Sequence, residues 1–380
     1  MVIFYQLDIS FVHMYQILLD YNPLYFGIVI AFSFLIVVVV IPSIIHVANK
    51  CLLFDDTAID HKNHSKGISR LGGVAIFCSF TITSLLLSKT NDFQIFNYLL
   101  VSCIILFAVG LKDDLAGVNP STKFVMQLLV AIIMVLLGDV RLTSMYSVFN
   151  LYELNYWVSI GLSILIIMFI TNAFNLIDGI DGLLGITGLI VSLTFGMVFA
   201  HMGQPVYACI AFSIVGATTG FLFFNISPAR IFMGDTGSLL IGLISAVLSI
   251  KFIELNKTDG SHIVYYNAAP SIAVAVLIIP IYDAIRVFIL RIVKKGSPFI
   301  GDNSHIHHRL LLLNLNHLQA TFVLLVFNVF IISVALSLRH LGNFALIGIL
   351  FVICILFNFI LVYLIRSKKR KSYNLINFID

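Results

Sequence analysis

Long apolar runs separated by short polar loops dominate this chain. Eleven runs approach the roughly 20 apolar residues that a helix needs to cross a bilayer. They lie near 23–48, 71–88, 96–111, 123–138, 157–175, 183–201, 206–225, 236–254, 267–290, 319–338 and 343–365. Several contain Gly or Ser, which allow helices to pack closely in lipid. The pattern predicts an all-α, polytopic integral membrane protein with about 11 transmembrane helices, forming a single membrane-embedded domain over 1–380.

The two ends of the chain differ in charge. Residues 1–20 contain Asp8 and Asp20, and no basic residue precedes Lys50. A cleaved signal peptide has a basic start and a small-residue cleavage site, so 1–20 is interpreted instead as an amphipathic lead-in. The opposite end, 366–380, is a basic tail, and its charge favours a topology anchor.

Composition supports a membrane protein and excludes several other classes. Hydrophobic residues make up 60% of the chain and charged residues 11%, whereas soluble domains carry about 25% charged residues. The net charge of +4 is too small and too scattered to bind nucleic acid. None of the five cysteines forms a CxxC pair, so neither a disulfide framework nor a zinc ribbon is expected.

The basic residues set the predicted orientation. With eleven spans, the loops near 49–70, 112–122, 176–182, 226–235 and 291–318 share one side with the C-terminal tail. That side holds all but five of the 22 basic residues, the five being Lys89, Arg141, Lys251, Lys257 and Arg339. The positive-inside rule assigns the basic side to the cytoplasm.

Three acidic segments fall on this predicted cytoplasmic side. They contain Asp113 and Asp114, Asp178 and Asp181, and Asp235. Each alone fits a solvated cap or turn, but five carboxylates would repel one another when ionised. A divalent cation is the natural neutraliser, and oxygen ligands select Mg²⁺ or Mn²⁺ over zinc. Because Mg²⁺ commonly binds substrate phosphates as well, the pattern predicts a phosphate-handling site beside the bilayer.

Two further segments on this side suggest phosphate contacts. Gly234-Asp-Thr-Gly-Ser238 is predicted to open a helix whose N–H groups favour an anion. His305, His307 and His308 are interpreted as phosphate contacts, together with Arg309, Lys294 and Lys295 nearby. The histidines also fit zinc, although neither Cys nor a well-placed fourth ligand accompanies them. Asp283 is expected to pair with Arg286 three residues later.

In combination and order, these motifs resemble the polyprenyl-phosphate N-acetylhexosamine-1-phosphate transferases of glycosyltransferase family 4. The resemblance extends from Arg70-Leu-Gly-Gly through 113–114, 172–183 and 232–238 to His305-Ile-His-His-Arg-Leu310. It implies transfer of an N-acetylhexosamine-1-phosphate, GlcNAc-1-phosphate by default, from a UDP-sugar to undecaprenyl phosphate. UMP would leave, and the product would start a cell-surface polysaccharide such as O-antigen.

The resemblance also implies roles for individual residues. Asp235 and Asn175 match the Mg²⁺ ligands, and Asp113 matches the residue that engages the lipid phosphate. The other positions implied to be catalytic are Asp114, Asp178, Asp181, His305, His307 and His308, with one aspartate as a covalent nucleophile in an alternative mechanism. The implied substrate-binding positions are Lys123 for phosphate, Asn225 and Phe232 for uracil, and Asn172 and Arg309.

Two alternatives remain at this stage. A phospho-muramoyl-pentapeptide transferase of peptidoglycan synthesis usually has three adjacent histidines, whereas this chain has His305-Ile-His-His308. A secondary transporter would carry its carboxylates near the bilayer midplane, commonly within internal repeats. The apolar helix faces permit a homodimer without requiring one.

Overall fold

The computed structural model describes most of the chain as helices. It covers residues 22–53, 67–87, 93–146, 148, 153–257, 266, 268–293 and 305–376. The lead-in 1–20 and the basic residues Lys89, Lys294 and Lys295 lie outside the described residues.

Thirteen α-helices account for the described part of the chain. They are α1 (Asn22–Cys51), α2 (Gly72–Leu87), α3 (Phe93–Ala116), α4 (Pro120–Ile132, continued by a π-helical turn Ile133–Leu137), α5 (Tyr156–Leu176), α6 (Leu183–His201), α7 (Pro205–Asn225), α8 (Gly234–Leu255), α9 (Ala269–Val276), α10 (Ile278–Val293), α11 (Ile306–Leu311), α12 (His317–Ser337) and α13 (Asn343–Ile376). Within this part no strand forms, only an isolated bridge between Ser144 and Glu153.

These helices confirm the predicted all-α, multi-pass membrane fold. Among the described residues nine helices are long and apolar enough to cross a membrane, or ten if α9 and α10 form one bent span. The 16-residue α2 is a shorter apolar helix that matches the second predicted run. Each of the eleven runs therefore corresponds to a helix or, for the ninth, to the bent pair.

The ninth run is not the continuous helix that its hydropathy suggests. The axes of α9 and α10 differ by 77°, with Leu277 between them. Pro280 explains this break, because it has no N–H to donate to the carbonyl of Val276 and its ring clashes with that carbonyl. The bend redirects α10, which carries Asp283, relative to α9.

α7 and α8 form the centre of the helix bundle, whereas α1 and α13 lie mostly at its surface. Small residues allow α1 to pack closely on the central helix α7. A Cβ on Gly216 of α7 would lie 2.2 Å from the Ile30 carbonyl oxygen of α1. Beside it Ser33 donates to the Ser213 carbonyl at 2.6 Å. Since lipid provides no hydrophobic driving force between helices, close packing and hydrogen bonds of this kind hold them together.

The charged residues segregate to two ends of the bundle. At one end Lys251 donates to the Asp139 carbonyl, and Glu254 accepts from both the N–H and the hydroxyl of Thr143 at 2.8 Å. At the other end lie the predicted acidic and histidine segments, and Lys368 of α13 donates there to the Leu312 carbonyl. The first eleven residues of the predicted tail continue α13 as a helix.

Candidate active site

The ammonium group of Lys123, near the start of α4, lies at the centre of the candidate site. It contacts Asp235 Oδ2, and it lies 3.4 Å from Asn175 Oδ1 and 3.8 Å from Asp113 Oδ2. The Asn175 amide also donates to Asp235 Oδ1 at 2.8 Å and to Ser238 Oγ at 2.9 Å. The end of α3, the end of α5 and the start of α8 thus place three acceptor oxygens around one positive charge.

This central group is open to a ligand. The side chains of Lys123, Asp235 and Asp113 are 18%, 21% and 24% exposed. Partial exposure allows a charged, water-soluble molecule to reach them, while the surrounding protein weakens screening by solvent. Asp113 is held in place by its other oxygen, which accepts from the Val118 N–H at 2.6 Å.

Asp114 is directed away from Lys123 and towards the start of α8. Its carboxylate accepts from the N–H groups of Asp235 (2.8 Å) and Thr236 (3.0 Å), and from the Thr236 hydroxyl (2.6 Å). It therefore caps the helix that carries Asp235, where the helix dipole favours negative charge. The sequence had predicted an anion at this helix start, and the structure corrects its identity: the anion is a side chain of the protein.

Asp178 also contacts the start of α8. Its carboxyl lies close to the Gly234 N–H. Part of its side chain reaches solvent, yet the protein packed around the carboxyl, followed by the charge of Asp114, raises the pKa of Asp178 to about 7. Two acidic segments distant in sequence thus occupy the first N–H groups of one helix.

The segment 69–73 packs against the chain that leads into α8. Phe232 donates to the Ser69 carbonyl (2.8 Å), and Gly72 donates back to the Phe232 carbonyl (2.9 Å). Glycine is required at two positions. A Cβ on Gly73 would lie 2.1 Å from the Gly237 nitrogen, and Gly234 has φ +69° with Asp114 oxygens 2.6 Å from where its Cβ would be. This backbone contact fixes the turn that carries Asp235.

Of three predicted substrate-binding residues, two have side chains that are hydrogen-bonded within the protein. Asn172 donates to Gln127 Oε1 at 2.8 Å, one helical turn from the contact between Asn175 and Lys123. Asn225 is 6% exposed, and its amide joins two loops by accepting from the Gly182 N–H and donating to the Ile231 carbonyl. Phe232 is half-buried. The predicted contacts of all three with substrate stay predictions.

Asp181 faces α12 instead of Lys123. Its Oδ2 lies 3.3 Å from His317 Nδ1, and its carbonyl accepts from the Thr321 hydroxyl at 3.2 Å. Sequence reasoning assigned nothing to His317, because it lies just before the apolar run 319–338 and no motif surrounds it. The second aspartate of 178–181 therefore anchors the loop to the first turns of α12.

The histidine segment forms the start of α11 and reaches the same loop. His305 and His307 lie with parallel rings 5.5 Å apart, and His308 is 4.2 Å from His307. His307 packs on Gly179, since a Cβ there would lie 2.2 Å from His307 Nε2. Burial and the neighbouring His308 lower the pKa of His307 to about 3, so its imidazole is neutral at physiological pH.

Arg309 donates to Asn358 of α13 at 2.7 Å, and its predicted contact with substrate stays a prediction.

We expect Gly179→Ala to displace His307, because the added methyl group would overlap its ring. Diethyl pyrocarbonate modifies exposed neutral imidazoles, so carbethoxylation of His307, read by peptide mass spectrometry, should rise severalfold. Gly161→Ala is the matched control, since a Cβ on Gly161 meets nothing within 4 Å. Unchanged labelling of His307 in Gly179→Ala would contradict this packing.

The central oxygens fit a hard divalent cation. Asp235, Asn175 and Asp113 already direct oxygens at the positive charge of Lys123, and Mg²⁺ usually takes one or two carboxylates together with waters and substrate phosphates. The described residues contain no group of three His, Cys, Asp or Glu side chains suited to a metal. The alternative of zinc on the three histidines therefore has no support in that part of the chain.

Comparisons with known proteins find similar sequences. The profile of glycosyl transferase family 4 matches residues 96–253, which include Asp113, Lys123, Asn175 and Asp235. The chain is 32% identical over 300 residues to a probable undecaprenyl-phosphate N-acetylglucosaminyl 1-phosphate transferase of Bacillus subtilis. That alignment covers 78% of this chain and 81% of the relative.

Two other relatives carry similar names. A decaprenyl-phosphate N-acetylglucosaminephosphotransferase of Mycobacterium tuberculosis is 32% identical over 282 residues, or 69% of this chain and 70% of that protein. An undecaprenyl-phosphate alpha-N-acetylglucosaminyl 1-phosphate transferase of Salmonella typhimurium is 28% identical over 276 residues, or 70% of each. All three names describe transfer to a polyprenyl phosphate.

Proposed function

Because the chain belongs to glycosyl transferase family 4, we propose that it transfers N-acetylhexosamine-1-phosphate, by preference GlcNAc-1-phosphate, from a UDP-sugar to undecaprenyl phosphate. An oxygen of the lipid phosphate attacks the β-phosphorus of the UDP-sugar. The bond from that phosphorus to the bridging oxygen breaks, and UMP leaves. The product carries the sugar on a diphosphate and starts a cell-surface polysaccharide.

The observation that carries this proposal is the convergence of Asp113, Asn175 and Asp235 on Lys123 at one end of the helix bundle. Phosphoryl transfer requires little covalent chemistry from the protein and depends on positioning and on neutralisation of charge. Lys123 supplies a positive charge for a phosphate oxygen. Asp113, with Oδ2 directed at Lys123, orients the lipid phosphate.

The same centre supports a Mg²⁺-dependent reaction, with Mn²⁺ as the other candidate ion. Asp235 and Asn175 would hold the ion, with Asp113 close to it. The bound ion supplies Lewis acidity that offsets charge on the departing UMP. Asp114 and Asp178 keep Asp235 in place through the start of α8, so their contribution is to position a ligand.

The positive-inside distribution of basic residues supports a site that faces the cytoplasm, in the inner membrane of a bacterium. A UDP-sugar is a cytoplasmic metabolite, and the lipid phosphate lies at the membrane surface. A site at the helix ends, beside the bilayer, is where these two substrates meet. The C-terminal end of α13 lies on the same side, since Lys368 contacts the turn after α11.

The test uses the full chain in detergent with undecaprenyl phosphate, Mg²⁺ and a panel of UDP-sugars that includes UDP-GlcNAc, UDP-GalNAc and UDP-MurNAc-pentapeptide. UMP release that depends on the lipid and is lost with EDTA is the expected result, with UDP-GlcNAc as donor. Release only from UDP-MurNAc-pentapeptide would favour the peptidoglycan enzyme instead. No release from any donor by a folded protein would overturn the proposal.

The relatives' names favour neither the peptidoglycan enzyme nor the transporter.

A further inference from the structure

We propose that Asp283 is a positioning residue that holds the histidine segment against the rest of the site. This inference rests on the proposed function and adds a residue to it. Asp283 lies on α10, in the second half of the bent pair, and is 2% exposed. Its carboxylate contacts His305, the Ile306 N–H and Arg286, so one buried group connects α10 to the start of α11.

The contact with Arg286 alone would be an ordinary helix pair, as the sequence predicts. That pair is confirmed, with Arg286 Nη2 donating to Asp283 Oδ1 at 2.7 Å. The other oxygen of the Asp283 carboxylate gives it a partner outside α10, because Oδ2 lies 2.8 Å from His305 Nδ1. Arg286 neutralises a carboxylate that would otherwise be costly to bury, and the carboxylate remains available to His305.

A carboxylate beside one ring nitrogen of a histidine fixes the tautomer and orientation of that ring. Asp283 accepts a hydrogen bond, so Nδ1 of His305 must carry its proton. Nε2, on the other side of the ring, is then the nitrogen available to a ligand. Without Asp283 the ring would be free to rotate and to exchange tautomers.

Asp283 also holds the backbone of α11. The helix has only six residues, too few to be stable by itself. Its cap residue, His305, makes no side-chain cap. Asp283 Oδ1 instead accepts from the first N–H group, that of Ile306, at 2.9 Å, which provides the missing cap from another helix.

The position of α11 is transmitted through His307 to the loop 177–182, which connects α5 and α6. This side chain follows His305 on the same helix turn and packs on Gly179, between Asp178 and Asp181. A displaced α11 would remove His307 from that loop and shift His305 and His308 with it. Asp283 thus acts through the histidines, at a distance from the oxygens around Lys123.

The first experiment measures position without activity. Asp283→Asn removes the charge that orders His305, so carbethoxylation of His305 by diethyl pyrocarbonate should rise severalfold over the wild-type chain. Asp139→Asn is the matched control, because Asp139 pairs with Arg141 at 2.7 Å at the opposite end of the bundle. Equal His305 labelling in Asp283→Asn and wild type would overturn the proposal, whatever the reaction of the protein proves to be.

The second experiment is a double-mutant cycle on lipid-dependent UMP release. Asp283→Asn should lower release by about 10- to 100-fold, as for other residues that orient a functional histidine. If Asp283 acts through His305, the pair Asp283→Asn and His305→Gln should lose no more than His305→Gln alone. Additive losses, or release within twofold of wild type in Asp283→Asn, would overturn the proposal.

A second pair of variants covers the case in which Asp283→Asn does not fold. His305→Asn places an amide N–H near the former Nδ1 and retains the donor to Asp283, whereas His305→Gln does not. Labelling of His307, which is 2% exposed, should therefore rise in His305→Gln and stay low in His305→Asn. The same His307 labelling in both variants would contradict a link through Asp283.

Discussion

Asp235→Asn is expected to abolish lipid-dependent UMP release, with a loss on the order of 10³-fold, while the chain stays folded. The substitution preserves the size of the side chain and one acceptor for the Asn175 amide. It removes the negative charge that faces Lys123 and the anionic oxygen best placed to hold Mg²⁺. The loss should therefore appear in catalysis and in the dependence on Mg²⁺ concentration.

The measurement is UMP release across a range of Mg²⁺ concentrations, with size-exclusion chromatography in detergent as a check of folding. Asp139→Asn, the same change in an aspartate that is 74% exposed at the opposite end of the bundle, should retain wild-type release. An Asp235→Asn variant with near wild-type release would show that Asp235 is not part of the active centre.

The adjacent residues Asp113 and Asp114 are expected to give different results for the same substitution. In Asp114→Asn the carboxylate at the start of α8 becomes a neutral amide, whose NH₂ group cannot accept from the N–H groups there. The variant should therefore have a lower thermal stability and a lower rate of UMP release. Hydrogen bonds to charged groups contribute about 1.5–3 kcal/mol each, which predicts a fall of several degrees in the unfolding midpoint. Asp113→Asn retains an acceptor for the Val118 N–H and should change stability by less than about 0.5 kcal/mol.

Both variants should lose activity, Asp113→Asn through its proposed contact with the lipid phosphate and Asp114→Asn through the position of Asp235. Thermal unfolding in detergent, measured beside UMP release on the same samples, separates the two effects. The assignment of Asp114 to α8 would fail if the two variants unfolded at the same temperature.

The sequence was sufficient to predict the helices, and the structure brings the predicted acidic and histidine segments to one end of the bundle. Hydropathy reports burial in lipid or protein over about 20 residues, so every predicted run has a helix. The break at Leu277 was missed because both halves are apolar, and only Pro280 signals it. The basic residues divide between the two ends, which the positive-inside rule anticipates.

Pairing between segments was much harder to predict. Asp114 and Asp113 are neighbours with the same chemistry, yet one caps α8 and the other faces Lys123. That difference depends on which face of α3 meets α8, and no local pattern encodes it. The sequence predicted only Arg286 as a partner of Asp283, because no local pattern indicates that α10 lies close to His305.

The contact between Gly73 and Gly237 has a consequence for biosynthesis. α2 is only 16 residues long, and its Gly73 cannot meet Gly237 until the ribosome has delivered the start of α8, about 160 residues later. At roughly 5–20 residues per second, that interval lasts on the order of 10–30 s. During it the nascent chain holds a short helix whose contact with α8 cannot yet form. Membrane insertases and quality-control proteases would encounter this intermediate, and truncated chains that end before α8 would remain in it.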